Sequence, residues 1–277
     1  MKNILITAAA AATFAVPSAS VFAQAQAAAA PESPHTLTAN VGFFSEYIFR
    51  GITQTANDPA VQGGFDYGHS SGFYAGTWAS NVSWLSDFGT YTTSSLEWDF
   101  YGGFKSNFGS SDFWWDVGTI YYYYPGNRAP GATNANTWEI YAGLGWKWLG
   151  VKYSYNLDNY FGAKPTGQDT DGTWYLDFFV NYPIGETGFA VNAHYGILDV
   201  KNDGDQQSAT EASYNDWKIG FSYTFGSGAG LIKGLELGAY YSDNDVKSNA
   251  NGVNFYTDLN GLNTAQSRVV GYVKKTF

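Results

Sequence analysis

A two-residue alternation of apolar with polar or small side chains constrains the fold of this chain more than any other feature. The alternation is cleanest in residues 217–225, WKIGFSYTF, where every odd-numbered position is apolar or aromatic. Successive side chains of a β-strand point to opposite faces, so each such segment has one apolar face and one polar face. The pattern therefore predicts β-strands that are suited to separate lipid from a polar interior.

Twelve segments of the chain carry this alternation. They span residues 36–50, 59–69, 72–83, 94–106, 112–124, 137–148, 150–157, 173–183, 187–197, 215–225, 234–242 and 267–277. A strand of roughly 9–11 residues crosses a bilayer, which matches the length of most of these segments. We therefore predict an all-β fold, a transmembrane antiparallel up-and-down β-barrel of about twelve strands. Ten or fourteen strands are compatible with the same pattern.

The links between these segments alternate in length. Links after even-numbered segments are short, such as residues 184–186, whereas links after odd-numbered segments are long, such as residues 158–172 and 243–266. Outer-membrane barrels have short periplasmic turns and long external loops. The asymmetry predicts the same orientation here, and an even number of strands places both chain termini on the periplasmic side.

The first residues have the features of a secretory signal peptide. Lys2 is followed by a short apolar stretch, residues 4–16, and by small residues near position 23, which is the arrangement that signal peptidases recognise. We predict a signal peptide over residues 1–23, a flexible tail over residues 24–35 and a single barrel domain over residues 36–277. The mature protein is then expected in the outer membrane of a Gram-negative bacterium.

Composition excludes several other classes of protein. Aromatic residues make up 19% of the chain and charged residues only 14%, whereas soluble domains carry roughly 25% charged residues. Disordered chains have few aromatic residues, and a helical membrane protein needs roughly 18 or more consecutive apolar residues, which do not occur here. The net charge is −10, which argues against nucleic acid as a partner because phosphate binding needs a basic face. Without cysteine, the chain has no disulfide framework and no thiolate site.

The chain ends in an alternating segment whose last residue is Phe277. A terminal aromatic residue on such a strand resembles the signal that outer-membrane barrels present for assembly. We therefore predict that Phe277 is the barrel-assembly signal, and that the barrel-assembly machinery and outer-membrane lipid are partners of the chain.

Four stretches together resemble the TorF-like porin family. They are VGFFSEYIFRGITQ at residues 41–54, GFYAGTWASNV at residues 72–82, EWDFYGGF at residues 97–104 and the terminal Thr276-Phe277. The resemblance extends over the whole chain after the signal peptide. It implies an outer-membrane barrel with a pore role, and it supplies no substrate and no catalytic residue.

The polar register of the predicted strands places charged and aromatic side chains on the inner wall of the barrel. The predicted pore-lining residues are Glu46, Arg50, Glu97, Asp99, Tyr101, Lys105, Asp116, Glu139, Tyr141, Lys147, Lys152, Asp177, His194, Lys218, Glu236 and Arg268, and the same register adds Asp66 and Lys274. Because acids and bases are nearly balanced, the lining is predicted to have mixed charge. The corresponding function is a porin-like channel for passive diffusion of small polar solutes.

Two other functions are compatible with the same barrel. A barrel of about eight strands is filled by its own side chains and one of about sixteen leaves a channel, so twelve strands do not decide between the two. A non-conducting structural or surface-binding barrel is therefore the first alternative. The second is a barrel-embedded hydrolase that would use His194 as a base beside Ser154 or Ser222, or Glu97 and Asp99 for acid–base chemistry.

Several features argue against catalysis and against bound cofactors. No Gly-x-Ser-x-Gly elbow is present, and the three histidines, His35, His69 and His194, are predicted on a tail, a turn and a strand. We therefore predict no enzymatic activity, no cofactor and no metal site in the barrel. The acidic links, residues 198–215 and 243–266, leave the binding of a divalent cation open.

Overall fold

The computed structural model describes residues 33–226 and 232–277. In this part of the chain, twelve antiparallel strands pair in sequence order and the first strand pairs with the last, which closes a barrel. The strands are β1 (His35–Phe44), a separate hairpin of β2 (Ile48–Phe49) and β3 (Ile52–Thr53), and then the barrel strands β4 (Ala60–His69), β5 (Phe73–Asn81), β6 (Leu96–Asn107), β7 (Phe113–Tyr123), β8 (Thr137–Trp146), β9 (Leu149–Asn156), β10 (Trp174–Pro183), β11 (Phe189–Asp199), β12 (Tyr214–Thr224), β13 (Leu235–Asn244) and β14 (Arg268–Thr276). The predicted antiparallel barrel of about twelve strands is confirmed.

Between residues 33 and 226, helical structure is confined to two short pieces. These are the helix α1 (Trp84–Asp87) and a 3-10 turn at Tyr160–Gly162, both within links between strands. Within the described residues, no helix is long and apolar enough to cross a membrane.

The strands form where the alternation predicts them, because each strand buries one face and exposes the other. In β6 the outward side chains of Trp98 and Phe100 are 41% and 42% exposed, whereas the inward side chains of Glu97 and Asp99 are 2% and 1% exposed. Apolar residues thus point outwards and charged residues inwards, which is the reverse of a soluble β-sandwich. The same inversion recurs around the barrel, with Leu37 as one of the most exposed outward residues.

The two ends of the barrel differ in the length of their connections. At one end, called the turn end below, the complete described connections are residues 70–72, 108–112, 147–148 and 184–188; residues 225–234 also connect strands there and are described only in part. At the other end, called the loop end, the connections are residues 45–59, 82–95, 124–136, 157–173, 200–213 and 245–267. The predicted alternation of short turns and long loops is therefore present.

Most strand boundaries differ by a few residues from the sequence-based prediction, and the largest difference is at the end of the first strand. The first strand begins at His35, which pairs with His69, and it ends at Phe44 rather than at residue 50. The link between β8 and β9 is residues 147–148, and Leu149 opens β9. The predicted signal peptide, residues 1–23, and most of the predicted tail lie outside the described residues.

Inside the barrel, aromatic rings lie flat against glycines of the neighbouring strand. A Cβ atom built on Gly76 would lie 2.5 Å from the Tyr101 ring, so a larger residue would displace the ring. The same relation pairs Tyr74 with Gly103, Tyr141 with Gly118, Trp114 with Gly145, Phe179 with Gly150, Tyr175 with Gly196 and Tyr272 with Gly238. A glycine in a strand commonly marks such a close approach, and this accounts for part of the high glycine content of the strands.

Candidate functional site

The link after β1, residues 45–59, folds into the barrel at the loop end, and we call it the inner loop. Its hairpin turns at Arg50 and Gly51, whose φ angles of 47° and 75° are both in the left-handed region. Glu46 and Arg50 are each 5% exposed and Tyr47 is 2% exposed. The inner loop therefore occupies the interior of the barrel instead of extending away from it.

This placement corrects the prediction for Glu46 and Arg50. Both were predicted on the wall of a strand that runs from residue 36 to residue 50, but that strand ends at Phe44. The alternation continues past Phe44 because the inner loop also has one apolar and one polar side. Both residues still face the interior, and they reach it from the inner loop.

Arg50 is the main polar anchor of the inner loop. Its Nη2 atom lies 2.8 and 3.0 Å from the two carboxylate oxygens of Glu139 on β8, and the two side chains are only 1% and 2% exposed. The guanidinium carbon also lies 4.3 Å from the ring centre of Tyr175 and 5.7 Å from that of Tyr160. Burial lowers the pKa of Arg50, but Glu139 and the surrounding tyrosines raise it by more, so the net shift is upward and the guanidinium stays charged.

Hydrogen bonds fasten the same loop to several other strands. Two of them hold its tip: the Tyr214 hydroxyl donates to the backbone oxygen of Arg50 at 2.6 Å, and the side-chain amide of Asn244 donates to that of Gly51 at 2.9 Å. Two more hold its first residues: the Tyr47 hydroxyl donates to Glu97 at 2.7 Å, and Arg268 Nε donates to Glu46 at 3.3 Å. The inner loop is thus tied to β6, β8, β12, β13 and β14.

The external loops close over the inner loop. Ile52 packs in a buried cluster with Tyr256 and Ala265, which belong to the last loop, residues 245–267. The backbone N–H of Thr53 donates to the oxygen of Thr264 at 3.0 Å. The inner loop and the loop above it therefore pack against each other across the loop end of the barrel.

A group of carboxylates lies in the interior beneath the inner loop. Its members are Glu97 and Asp99 on β6, Glu139 on β8, Asp177 on β10 and Asp216 on β12, each at most 2% exposed. One oxygen of Asp99 and one of Asp177 have no hydrogen-bond partner in the described structure. A buried carboxylate oxygen without a partner is costly, so these atoms are suited to contact water or a polar solute.

His194 lies between two of these carboxylates. Its Nδ1 atom is 3.1 Å from Asp177 and its Nε2 atom is 3.5 Å from Asp216. Both ring nitrogens thus face carboxylates. The hypothesis of a hydrolase with His194 as the base beside Ser154 or Ser222 receives no support from this geometry.

Basic residues predominate nearer the turn end. Their ammonium groups lie over aromatic rings or beside carboxylates, which is a common way to keep a partly buried cation satisfied. Lys105 lies over Trp114 at 4.6 Å, Lys152 over Tyr141 at 4.0 Å and Lys218 over Tyr240 at 4.9 Å, and Lys274 lies 3.5 Å from Glu236. Hydrogen bonds also join Tyr74 to Asp116 and to Tyr141, Tyr101 to Asp66, and Tyr272 to Glu236.

The structure places Lys147 away from the lumen wall. It lies in the two-residue turn between β8 and β9, with a φ of 50°, and its ammonium group is 3.4 Å from Asp112. The alternation extends one residue too far here because the left-handed turn begins directly after Trp146. Lys147 therefore belongs to the rim of the turn end, in contrast to its prediction as a pore-lining residue.

Sequence reasoning missed several residues of the interior site. Asp216 lies on the polar register of β12 with Lys218, and Tyr175 lies on that of β10 with Asp177. The alternation therefore already indicated that both residues face the interior. The Tyr175 hydroxyl donates to Asp216 at 2.8 Å. Tyr124 donates to Glu97 at 2.6 Å, and its position just after β7 gave no comparable signal.

The acidic external loops use their carboxylates to fix their own backbone. Asp203 accepts the backbone N–H groups of Gly204, Ala212 and Ser213 at 2.5–2.9 Å. Within residues 33–226 and 232–277, no group of three or more His, Cys, Asp or Glu side chains is arranged to hold a metal ion.

Comparison with known proteins finds many similar solved structures, and the following three are examples with low sequence identity. They are the outer membrane protein OprD from Pseudomonas aeruginosa (11% identity, 87% of this chain and 65% of that chain, TM-score 0.40), Pseudomonas aeruginosa OccD3 (OpdP) (12%, 90% and 66%, 0.42) and Acinetobacter baumannii OccAB2 (12%, 90% and 66%, 0.41). This chain spans about two thirds of the length of each. The assignment of the barrel fold rests on the strand pairing of this chain itself.

A search among curated proteins finds no match. By contrast, residues 28–277 match the model of a family that is described as a bacterial protein of unknown function, Gcw_chp. Because this match covers nearly all of the sequence, the chain belongs to the Gcw_chp family.

Proposed function

We propose that this protein is a porin-like channel of the bacterial outer membrane and that small polar solutes diffuse passively through its mixed-charge interior. The protein is proposed to reach the outer membrane by export with a signal peptide that is then cleaved. One observation carries the proposal: a closed barrel exposes an apolar outer face and encloses charged groups of both signs. Water cannot solvate so continuous an apolar surface at low cost, whereas lipid can. Conversely, buried carboxylate oxygens without partners suit an interior that admits polar molecules.

The packing of the inner loop across the loop end adds a condition to this proposal. Solutes that enter from the external side pass only when the inner loop moves away from its contacts with Glu139 and Glu97. The channel is therefore proposed to alternate between this closed conformation and an open one. Purified protein in planar bilayers should give discrete current steps with a low open probability, and a bilayer that stays sealed at high protein load would contradict the channel.

A non-conducting barrel is the second candidate. The buried Arg50–Glu139 pair favours this candidate because the pair fills the interior at the loop end. The two candidates differ in the behaviour of variants. If the barrel is a scaffold, Arg50→Met should leave the bilayer sealed, because the remaining interior still blocks passage. If it is a channel, the same substitution should raise the open probability.

The proposed location can be tested without reference to transport. Fractionation should recover the protein in the outer membrane, and the folded barrel should migrate differently on a gel before and after heating. Phe221→Arg, which puts a charge on the outward face of β12, should cost roughly 2–4 kcal/mol of stability if the residue lies at the membrane midplane, whereas Ser222→Arg on the inner face should cost less. Recovery in the soluble periplasmic fraction would contradict this location.

The relation to TorF-like porins and the absence of catalysis are part of the same proposal. The motif at residues 41–54, which carries the resemblance, includes the tip of the inner loop, so it coincides with the proposed gate. Catalysis would require turnover of an acyl or glycosyl substrate that is lost in His194→Ala. We expect no turnover in either form of the protein.

A further inference from the structure

The guanidinium group of Arg50 sits in a cage that other parts of the molecule mostly build. The inner loop itself adds the ring of Phe49, whose centre is 4.8 Å from the guanidinium carbon. Glu139 on β8 supplies a carboxylate, and Tyr175 on β10 and Tyr160 in the loop 157–173 supply aromatic faces at 4.3 and 5.7 Å. A carboxylate combined with aromatic faces is the usual protein arrangement for recognising an organic cation. All three residues lie outside the inner loop, so the cage persists when Arg50 leaves it.

Arg50 fits this cage incompletely. Only Nη2 contacts Glu139, while Nε and Nη1 are buried and donate to no carboxylate. The hydroxyl of Tyr160 also interacts with the guanidinium group. A buried donor that lacks a well-placed acceptor is costly in free energy. Because the inner loop fixes its position, Arg50 binds the cage less tightly than a freely placed guanidinium group would. A free cation can therefore compete with Arg50 for the cage.

The planar shape of the group indicates which cations compete best. A planar guanidinium can stack on an aromatic ring and direct several N–H groups toward carboxylates, whereas an ammonium is a compact and strongly hydrated charge. Beside the cage, Asp99 offers an oxygen that has no partner, and burial leaves it inaccessible to bulk water. A guanidinium that is not tethered to the inner loop can adjust its position to such acceptors.

We propose, building on the proposed channel function, that the cage formed by Glu139, Tyr175 and Tyr160 is a binding site for solutes that bear a guanidinium group, and that Arg50 is its built-in occupant. Such a solute displaces Arg50, which releases the tip of the inner loop and opens the loop end. The solute class and the opening of the channel are thereby coupled at one site. Binding to the open conformation alone shifts the population in that direction.

Binding is tested first, by calorimetry on the purified full-length barrel in detergent with methylguanidinium as the probe. In Arg50→Met the internal competitor is absent, so the affinity for methylguanidinium should rise by about tenfold or more over the unmodified protein. Arg50→Met/Glu139→Gln should lose this gain because the carboxylate of the cage is gone. Arg128→Met, which removes an exposed arginine of the loop 124–136, is the matched control and should leave the affinity unchanged.

Gating is tested second, in planar bilayers at constant ionic strength. Methylguanidinium added at the loop end should raise the open probability several-fold, and neutral methylurea, which has nearly the same shape, should not. Glu139→Gln should raise the basal open probability and abolish the response. Glu186→Gln, in the exposed turn 184–188, should behave like the unmodified protein. Heat-dependent gel migration verifies that each variant is folded.

The possible failures are distinguishable. If Arg50→Met conducts but binds methylguanidinium no better than the unmodified protein, the cage is not a guanidinium site, while the channel function stands. If methylguanidinium binds to Arg50→Met as expected and no form of the protein conducts, the binding site stands and the channel function and its coupling to opening fail. An equal response to methylurea would also overturn the guanidinium site.

Discussion

The loop end and the turn end of this barrel use similar side chains in different environments. At the loop end, Arg50 and Glu139 form an ion pair at 2.8 Å with side chains 1% and 2% exposed. Toward the turn end, Lys274 and Glu236 form a pair at 3.5 Å with both side chains 20% exposed. The first pair lies under a folded-in loop and the second on an interior wall that solvent reaches.

This difference determines how easily the charged groups at each end separate. Charges that water can reach exchange partners at little cost, so they line a path without closing it. Charges that are removed from water are held by each other, and separating them is costly. The loop end and the turn end therefore differ in how strongly their charged groups are held in place.

The largest expected effect breaks the pair at the loop end. Glu139→Leu leaves the buried Arg50 without its carboxylate, so the free energy of unfolding should fall by about 3–5 kcal/mol. Adding Arg50→Met removes the stranded charge and should restore much of the loss. Unfolding in urea, followed by tryptophan fluorescence in lipid vesicles, measures both; a double variant that is no more stable than the single one would contradict the buried pair.

Smaller effects are expected from crowding an interior glycine at either end. A Cβ atom on Gly196 would displace Tyr175 near the loop end, and one on Gly238 would displace Tyr272 near the turn end. Each alanine substitution should cost about 1–3 kcal/mol through overpacking. Only Gly196→Ala should also raise the open probability, because Tyr175 covers Arg50. Equal conductance changes in the two variants would remove the functional distinction between the ends.

The pair at the turn end should matter less for stability. Glu236→Gln removes one partner of Lys274, but because water reaches both side chains, the loss should be at most about 1 kcal/mol. The hydrogen bond from Tyr272 to Glu236 can be kept by the glutamine oxygen. Urea unfolding at low and high salt provides the measurement. A loss of unfolding free energy as large as that of Glu139→Leu would show that water is excluded equally from both ends.

The smallest effect is expected at the rim of the turn end. Lys147 lies outside the lumen in a turn, so Lys147→Ala should change stability by no more than about 0.5 kcal/mol and leave the conductance unchanged. Single-channel recording is the measurement. A changed conductance would mean that Lys147 reaches the path after all, as its sequence register predicts.

Most of the barrel wall could be predicted from the sequence because the face on which a strand residue lies depends on a local period of two residues. Glu97, Asp99 and Glu139 were therefore assigned to the interior correctly, and Asp216 could have been. Lys147 shows the limit of the rule, since a left-handed turn ends the strand without interrupting the alternation.

The inner loop could not be predicted in the same way. Arg50 and Glu139 are separated by 89 residues in the sequence, and Arg50 and Tyr214 by 164. Nothing in the residues around Arg50 indicates these partners, because the alternation there continues as if the strand did. Contacts of this kind depend on which strands face each other across the closed barrel.

The sequence by itself determined the strands, their two faces and the difference in length between turns and loops, since each depends on residues that are close along the chain. The tertiary structure alone decided that the inner loop packs across the loop end and that Arg50 lies in a cage of Glu139, Tyr175 and Tyr160. Closing the barrel brings β8, β10 and the external loops to one place, and only there does burial convert scattered charges and rings into a site.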